Sequence, residues 1–137
     1  MYSLLLQDCS LLAGDESGFS LVYCGNLGVG RAPVLCEMAN VLKNIDPEAK
    51  LVIYGKFQNE YDEREVCSLD NVDFRGFVAY EEIPRILAQA SLVIHCENSE
   101  RLENLKTAFS TKIADNLACG KPFLVYATRA YPFVQYL

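Results

Sequence analysis

Between Ala108 and Lys121 the chain reads AFSTKIADNLACGK, which sets two hydroxyls (Ser110, Thr111), a cation (Lys112) and a carboxylate (Asp115) in close succession. Ile113, Ala114, Leu117 and Ala118 recur at helical spacing and give the segment one apolar face. Asp115 falls one turn on from Thr111, on the side those residues leave free. Gly120 is placed to end the helix, and Pro122 to open a buried strand. A helix start carries unpaired N–H groups and a positive dipole end, so with Phe109, Ser110 and Thr111 at its mouth it can seat a phosphate. A lysine there opposes the dipole unless an anion offsets it, which assigns Lys112 a phosphate. Aspartate is a poor mid-helix residue, and Asp115 is well placed to accept hydrogen bonds from sugar hydroxyls. The pattern predicts a nucleotide-sugar site.

Other chemistry-bearing residues follow short apolar runs. The first run is followed by Gly25-Asn26-Leu27-Gly28-Val29-Gly30-Arg31, the second by Gly55-Lys56, and the third by Gly76-Phe77-Val78. Glycine lets backbone approach a ligand closely, and a basic side chain follows twice. Arg31 is a candidate for gripping a diphosphate with its guanidinium fork. The spacing of Gly25, Gly28 and Gly30 is not GxGxxG, and no acid closes a second strand, which disfavours a dinucleotide fold. Phe77 either plugs the core or lines a base pocket. His95, the single histidine, ends an apolar run and reads as a core or rim residue. Glu97, Glu100 and Glu103 lack the spacing of a metal site.

The elements that must position these residues can be read from periodicity. Apolar runs at Phe19–Cys24, Leu51–Tyr54, Val72–Arg75, Leu92–Cys96 and Phe123–Tyr126 predict about five strands, three of them continuous enough to be covered on both faces. Arg31–Ile45 is predicted helical, with Val34, Met38, Val41, Leu42 and Ile45 along its buried stripe. Glu81–Ala90 is predicted helical through Ile83, Ile86, Leu87 and Ala90, with Pro84 in the first turn. Met1–Gly14 reads as an amphipathic helix over one sheet face, without the basic start of a signal peptide. Strand–helix alternation predicts an α/β fold: a three-layer, doubly wound, mostly parallel sheet, with ligands at the carboxyl ends of its strands.

The length of 137 residues supports one domain, residues 1–137. The six cysteines show no metal-ligand spacing and are expected to be reduced core residues of a cytosolic protein. A net charge of −6 argues against nucleic acid as a partner. Acids crowd Asn59–Asp70, whereas Arg31, Lys56, Lys106, Lys112 and Lys121 gather near predicted strand ends and the Ala108–Lys121 helix.

The segments LVYCGNLGVGR, VDFRGFVAYEEIPRILAQASLVIHC and FSTKIADNLACGKPFLVYA together resemble the donor-binding, C-terminal half of GT-B-fold glycosyltransferases of group 1, family 4. The resemblance spans about Phe19 to Ala127. It implies a Rossmann-like domain of a retaining hexosyltransferase that needs no metal or other cofactor and uses a nucleoside-diphosphate sugar, either a UDP- or a GDP-sugar. It assigns Arg31 and Lys112 to catalysis at the donor phosphates. The same resemblance gives Gly28, Gly55, Lys56, Phe77, Val78, Phe109, Ser110, Thr111 and Asp115 to donor binding, with Asp115 on the ribose. Thr107 stands where the family commonly has an acid that contacts the transferred sugar, Asp115 replaces a usual glutamate, and Asn26 replaces a basic residue.

The resemblance further implies polysaccharide or glycolipid synthesis, at a cytoplasmic location either free or peripheral to the inner face of the membrane. The acceptor, a glycan or lipid-linked sugar, would bind a separate N-terminal domain whose pattern is not visible before Phe19. The expectation is therefore an incomplete enzyme that alone binds donor weakly and transfers nothing. Two alternatives stand beside it: an interaction module that keeps the fold without catalysis, and a receiver-like signalling domain. The second needs acids at the strand ends, where glycine and cations stand instead.

Overall fold

The computed structural model describes residues 3–6, 18–98 and 118–127. The strands are β1 (Ser3–Leu6), β2 (Ser20–Cys24), β3 (Lys50–Tyr54), β4 (Val72–Gly76), β5 (Leu92–Cys96) and β6 (Phe123–Ala127), and the helices are α1 (Arg31–Ile45), α2 (Glu60–Cys67) and α3 (Ile83–Ala88). They form one sheet in the order β1-β6-β5-β2-β3-β4. Pairings β2–β3, β3–β4, β2–β5 and β5–β6 are parallel. The chain lays β3 and β4 on one side of β2, then returns to lay β5 and β6 on the other. The direction of winding therefore reverses between β2 and β5, which is where doubly wound sheets open a crevice.

The continuous apolar runs are continuous because each strand is covered twice. In β2, Leu21 and Tyr23 pack with Leu35, Leu51, Ile53 and Ile94 on the side of α1 and α2. Their neighbours Val22 and Cys24 pack with Val52, Ile83, Leu87, Val93 and Phe123 on the side of α3. Alternate side chains thus feed two cores from one strand. The three-layer, mostly parallel architecture is as expected.

Several local expectations are corrected. Ser3–Leu6 is a strand, not part of an amphipathic helix, and pairs antiparallel with β6 from Ser3 opposite Ala127 to Leu6 opposite Leu124. Among the described residues the sheet therefore has six strands, the parallel five plus this edge. Helix α1 has the expected bounds, but its buried stripe is Arg31, Ala32, Val34, Leu35, Met38, Ala39 and Leu42. Val41 and Ile45 stand out in solvent, 46% and 77% exposed. The acidic stretch resolves into α2, capped where Asn59 Oδ1 accepts from the Asp62 N–H at 2.8 Å. The expected Glu81–Ala90 helix divides into a 3₁₀ turn, Tyr80–Glu82, and α3. Cys24 and Cys96 are core residues as expected, whereas Cys67 is exposed at the end of α2.

Candidate functional site

Glycine ends each of three neighbouring strands, and the tips are hydrogen-bonded in a row. The Gly25 N–H donates to the Tyr54 carbonyl at 3.1 Å, and the Gly55 N–H to the Gly76 carbonyl at 2.9 Å. Gly55 has φ +151°, and a Cβ there would meet the Gly25 carbonyl oxygen at 2.1 Å. No side chain fits between these tips, so they stay in contact and leave open space above. That space is a cleft of about 510 Å³ lined by Cys24, Gly25, Asn26, Tyr54, Gly55, Lys56, Phe57, Gln58, Phe77, Val78 and Ile83.

The walls of the cleft differ in character. Phe77 is 77% exposed and stands on the loop that follows β4, with Val78 and Ile83 beside it. An exposed phenyl with aliphatic neighbours offers a stacking surface for a flat ring. Lys56 is exposed and is the only charged residue among the described residues that line the cleft. Asn26 and Gln58 add amides. Gly28 lies behind Gln58, whose terminal amide carbon is 2.1 Å from where a Gly28 Cβ would be. Unlike the backbone beside Gly55, that amide could swing away.

The turn between β2 and α1 joins the cleft to a second, closed cluster. Val29 has φ 58° and Gly30 φ 74°, so a β-branched residue is held in the left-handed region, a strained conformation that persists only where its surroundings fix it. The fixing contacts are specific. Asn26 Oδ1 accepts from the Gly28 N–H at 2.6 Å, and the Tyr23 hydroxyl donates to the Asn26 carbonyl at 2.6 Å. Asn98 Nδ2 donates to the Gly30 carbonyl at 2.9 Å.

Arg31, the first residue of α1, is buried. Its Nε donates to the Cys96 carbonyl (3.3 Å), its Nη1 to the Asn26 carbonyl (3.2 Å), and its Nη2 to Glu97 Oε1 (2.5 Å). His95 Nε2 lies 3.1 Å from the same Glu97 oxygen. Glu97 Oε2 is buried and has no hydrogen-bond partner among the described residues. Burial works to raise the Glu97 pKa, but the His95 contact and the Arg31 charge outweigh it and hold the carboxyl below its ordinary value. Burial likewise works against the Arg31 charge, and Tyr23 and Glu97 overcome it, so that its pKa rises. Burial also pushes the Cys96 thiol up to about 12 and the Tyr23 phenol well above its usual value. The centre of the cluster is an ion pair, and the thiol and phenol beside it stay neutral.

Of the residues singled out from sequence, Gly55, Lys56, Phe77 and Val78 come together on one cleft. Gly28 lies just behind it, and Arg31 lies in the adjoining buried cluster, linked to the cleft through Asn26. His95 is buried, as a core histidine should be. Phe77 does not plug the core. Lys121 precedes β6 and so sits at the amino end of that strand, opposite the carboxyl-end cleft. Thr107, Phe109, Ser110, Thr111, Lys112 and Asp115 lie outside the described residues. Among the described residues no group of His, Cys, Asp and Glu could hold a metal ion, and no helix is long and apolar enough to cross a membrane.

Sequence reasoning missed Gln58 and the role of Glu97 as the partner of Arg31. A carboxylate directly after a buried strand, two residues from a histidine, is the one signal that could have flagged it.

Comparison with known proteins bears on this geometry. The family model described as "Glycosyl transferases group 1" matches residues 18–134. Among solved structures, the Anabaena protein Alr3699/HepE, crystallised in complex with UDP and glucose, is similar with a TM-score of 0.56 at 20% identity. The match covers 85% of this chain and 35% of that one, so the chain spans about a third of that protein's length. No curated protein matches.

Proposed function

The chain belongs to the group 1 glycosyl transferases, and from that premise we propose that it is the donor-binding half of a retaining, metal-independent enzyme that moves a hexosyl group from a nucleoside-diphosphate sugar. The observation that carries this is the cleft over the tips of β2, β3 and β4, whose lining combines Lys56 and the side-chain amides of Asn26 and Gln58 with exposed Phe77 and Val78. A nucleoside diphosphate has the matching parts, a flat base for the aromatic wall and an anion for the cation and amides. The fold neighbour from Anabaena, crystallised with UDP and glucose, supports the same ligand class.

In this reading Lys56 and Arg31 offset the negative charge that grows on the diphosphate as the glycosidic bond breaks. In the Ala108–Lys121 segment, for which the sequence pattern predicts a helix, Lys112, Ser110 and Thr111 add to that, and Asp115 accepts the ribose hydroxyls. Positive side chains then supply the neutralisation that a divalent ion would otherwise give. The acceptor, a glycan or lipid-linked sugar, docks from a second domain, and the setting is cytoplasmic synthesis of polysaccharide or glycolipid.

Calorimetric titration with UDP, GDP and their sugars tests this, using Lys56→Ala, Phe77→Ala and Asp115→Ala beside the wild type. Binding that each change weakens supports the reading. A folded wild type indifferent to every nucleotide overturns it and favours the non-catalytic interaction module.

A further inference from the structure

The cluster beside the cleft contains a buried acid that the donor reading does not use. Arg31 opens α1, where positive charge opposes the helix dipole, and the first turn of α1 contains no acidic residue to offset it. Its compensation comes from far along the chain: Glu97 Oε1 at Nη2, with Cys96 and Asn26 carbonyls on the other nitrogens. These three contacts fix the plane of the guanidinium. They do not use all of its donors, and Nη1 and Nη2 each keep an N–H with no partner among the described residues.

The carboxylate is equally one-sided. Arg31 and His95 both meet Oε1, while Oε2 has no partner among the described residues although the Glu97 side chain is only 5% exposed. A purely structural ion pair is expected to satisfy both oxygens, because an orphan buried acceptor costs free energy. A well-packed apolar pair would hold the fold as well. The turn that delivers Arg31 is also strained at Val29, as segments at functional sites often are.

We propose that Glu97 is the positioning residue for Arg31, fixing the guanidinium so that its remaining N–H donors form a preset fork for the donor's diphosphate. This rests on the reading of the neighbouring cleft as a nucleoside-diphosphate site. His95 braces the carboxylate from its other side. Pre-fixing the fork lowers the conformational entropy lost when the anion binds.

The test compares UDP with uridine, since the difference between them isolates the grip on the diphosphate. Calorimetry is done on the wild type, Arg31→Lys and Glu97→Gln. Removing a nearby negative charge would by itself tighten anion binding, so a loss in Glu97→Gln is diagnostic of lost positioning. The expected result is about a tenfold loss of UDP affinity in Glu97→Gln, with uridine affinity changed by less than about twofold. Arg31→Lys should lose the same discrimination, because an ammonium has no fork. An unchanged UDP-to-uridine ratio in folded Glu97→Gln overturns the proposal and leaves the donor reading standing. A wild type that binds neither this pair nor GDP and guanosine removes both.

If Glu97→Gln fails to fold, the wild type still decides. The guanidinium NMR signals of Arg31, assigned through Arg31→Lys, should show restricted rotation about Cζ–Nη before ligand is added. They should shift with UDP and not with uridine. Freely averaging signals, or signals that UDP leaves in place while binding elsewhere, rule the role out.

Discussion

The two halves of the crevice are built on opposite principles. On the β3–β4 side the cleft is open, its floor is backbone, and its side chains at Lys56 and Phe77 face water. On the β5 side the space is filled by Arg31, His95, Glu97 and Asn98, all buried. The first half is held by Gly55, which admits no Cβ against the adjacent tip, the second by the Arg31–Glu97 ion pair and its hydrogen bonds. Shape on the open side is therefore a property of the backbone, and its side chains are at liberty to suit a ligand. On the closed side the side chains themselves are the structure, and altering one disturbs the rest.

The sharpest way to break that contrast is to remove one member of the ion pair. Glu97→Ala strands a buried guanidinium, and such losses destabilise by about 3–5 kcal/mol. Replacing both partners by apolar residues, Arg31→Met with Glu97→Leu, should cost clearly less than the two single changes added together. Urea unfolding of the four proteins gives the coupling directly. Additive single effects would mean that the closed half is no more a unit than the open one.

Next in size is a change to the backbone floor. Gly55→Ala forces a Cβ to 2.1 Å from the Gly25 carbonyl at a φ that side chains rarely adopt. Strain and overpacking together should cost about 2–4 kcal/mol. Gly28→Ala meets only the movable end of Gln58 and should cost less, with both read from urea midpoints. Equal losses at the two glycines would show that crowding, whether from backbone or from a flexible amide, is felt alike.

A smaller effect appears in acid. The Glu97 carboxyl is held below its ordinary value of 4.5, so its contribution to stability is complete above that pH. As pH falls below 4.5 and approaches the lowered folded value, the contribution is lost. The stability gap between wild type and Glu97→Gln should therefore be level at neutral pH and close on acidification. Asp70, lowered by Lys43 at the surface, adds an acid dependence common to both proteins. A gap that stays constant down the acid range would remove the ionised pair from the account.

The open half was the more legible in the sequence, for a physical reason. Gly55-Lys56 and Gly76-Phe77-Val78 follow apolar runs directly, so local order along the chain names both the strand and what sits at its tip. The closed half depends on contacts across the chain: Arg31 and Glu97 are 66 residues apart, and the one local signal at Glu97, its place directly after a buried strand, does not name Arg31 as its partner. Arg31 stands out by its type, whereas Glu97 reads with the nearby acids Glu100 and Glu103. The same divide runs through the fold. The bounds of α1 follow from local periodicity, whereas its buried stripe takes Leu35 and Ala39 in place of Val41 and Ile45, a choice that only the sheet beneath makes. The short apolar run at Ser3–Leu6 fits helix or strand, and the pairing with β6 decides between them.

The smallest expected effect on stability tests the open half most directly. Phe77 is 77% exposed, and its removal takes little apolar area out of a packed setting, so Phe77→Ala should alter unfolding by no more than about 0.5 kcal/mol. An exposed phenyl kept at the mouth of a cleft for no structural gain is more economically explained by what it meets there. The same variant should therefore weaken nucleotide binding, by about 1–3 kcal/mol if a base stacks on the ring as bases do on aromatic side chains elsewhere. Uridine and UDP should lose affinity alike, because the ring meets the base and not the diphosphate. That outcome is the mirror image of Glu97→Gln, which should spare uridine and penalise UDP. If Phe77→Ala instead lowers stability by the amount seen in the closed cluster, the loop after β4 is part of the fold's own packing and the two halves are not distinct.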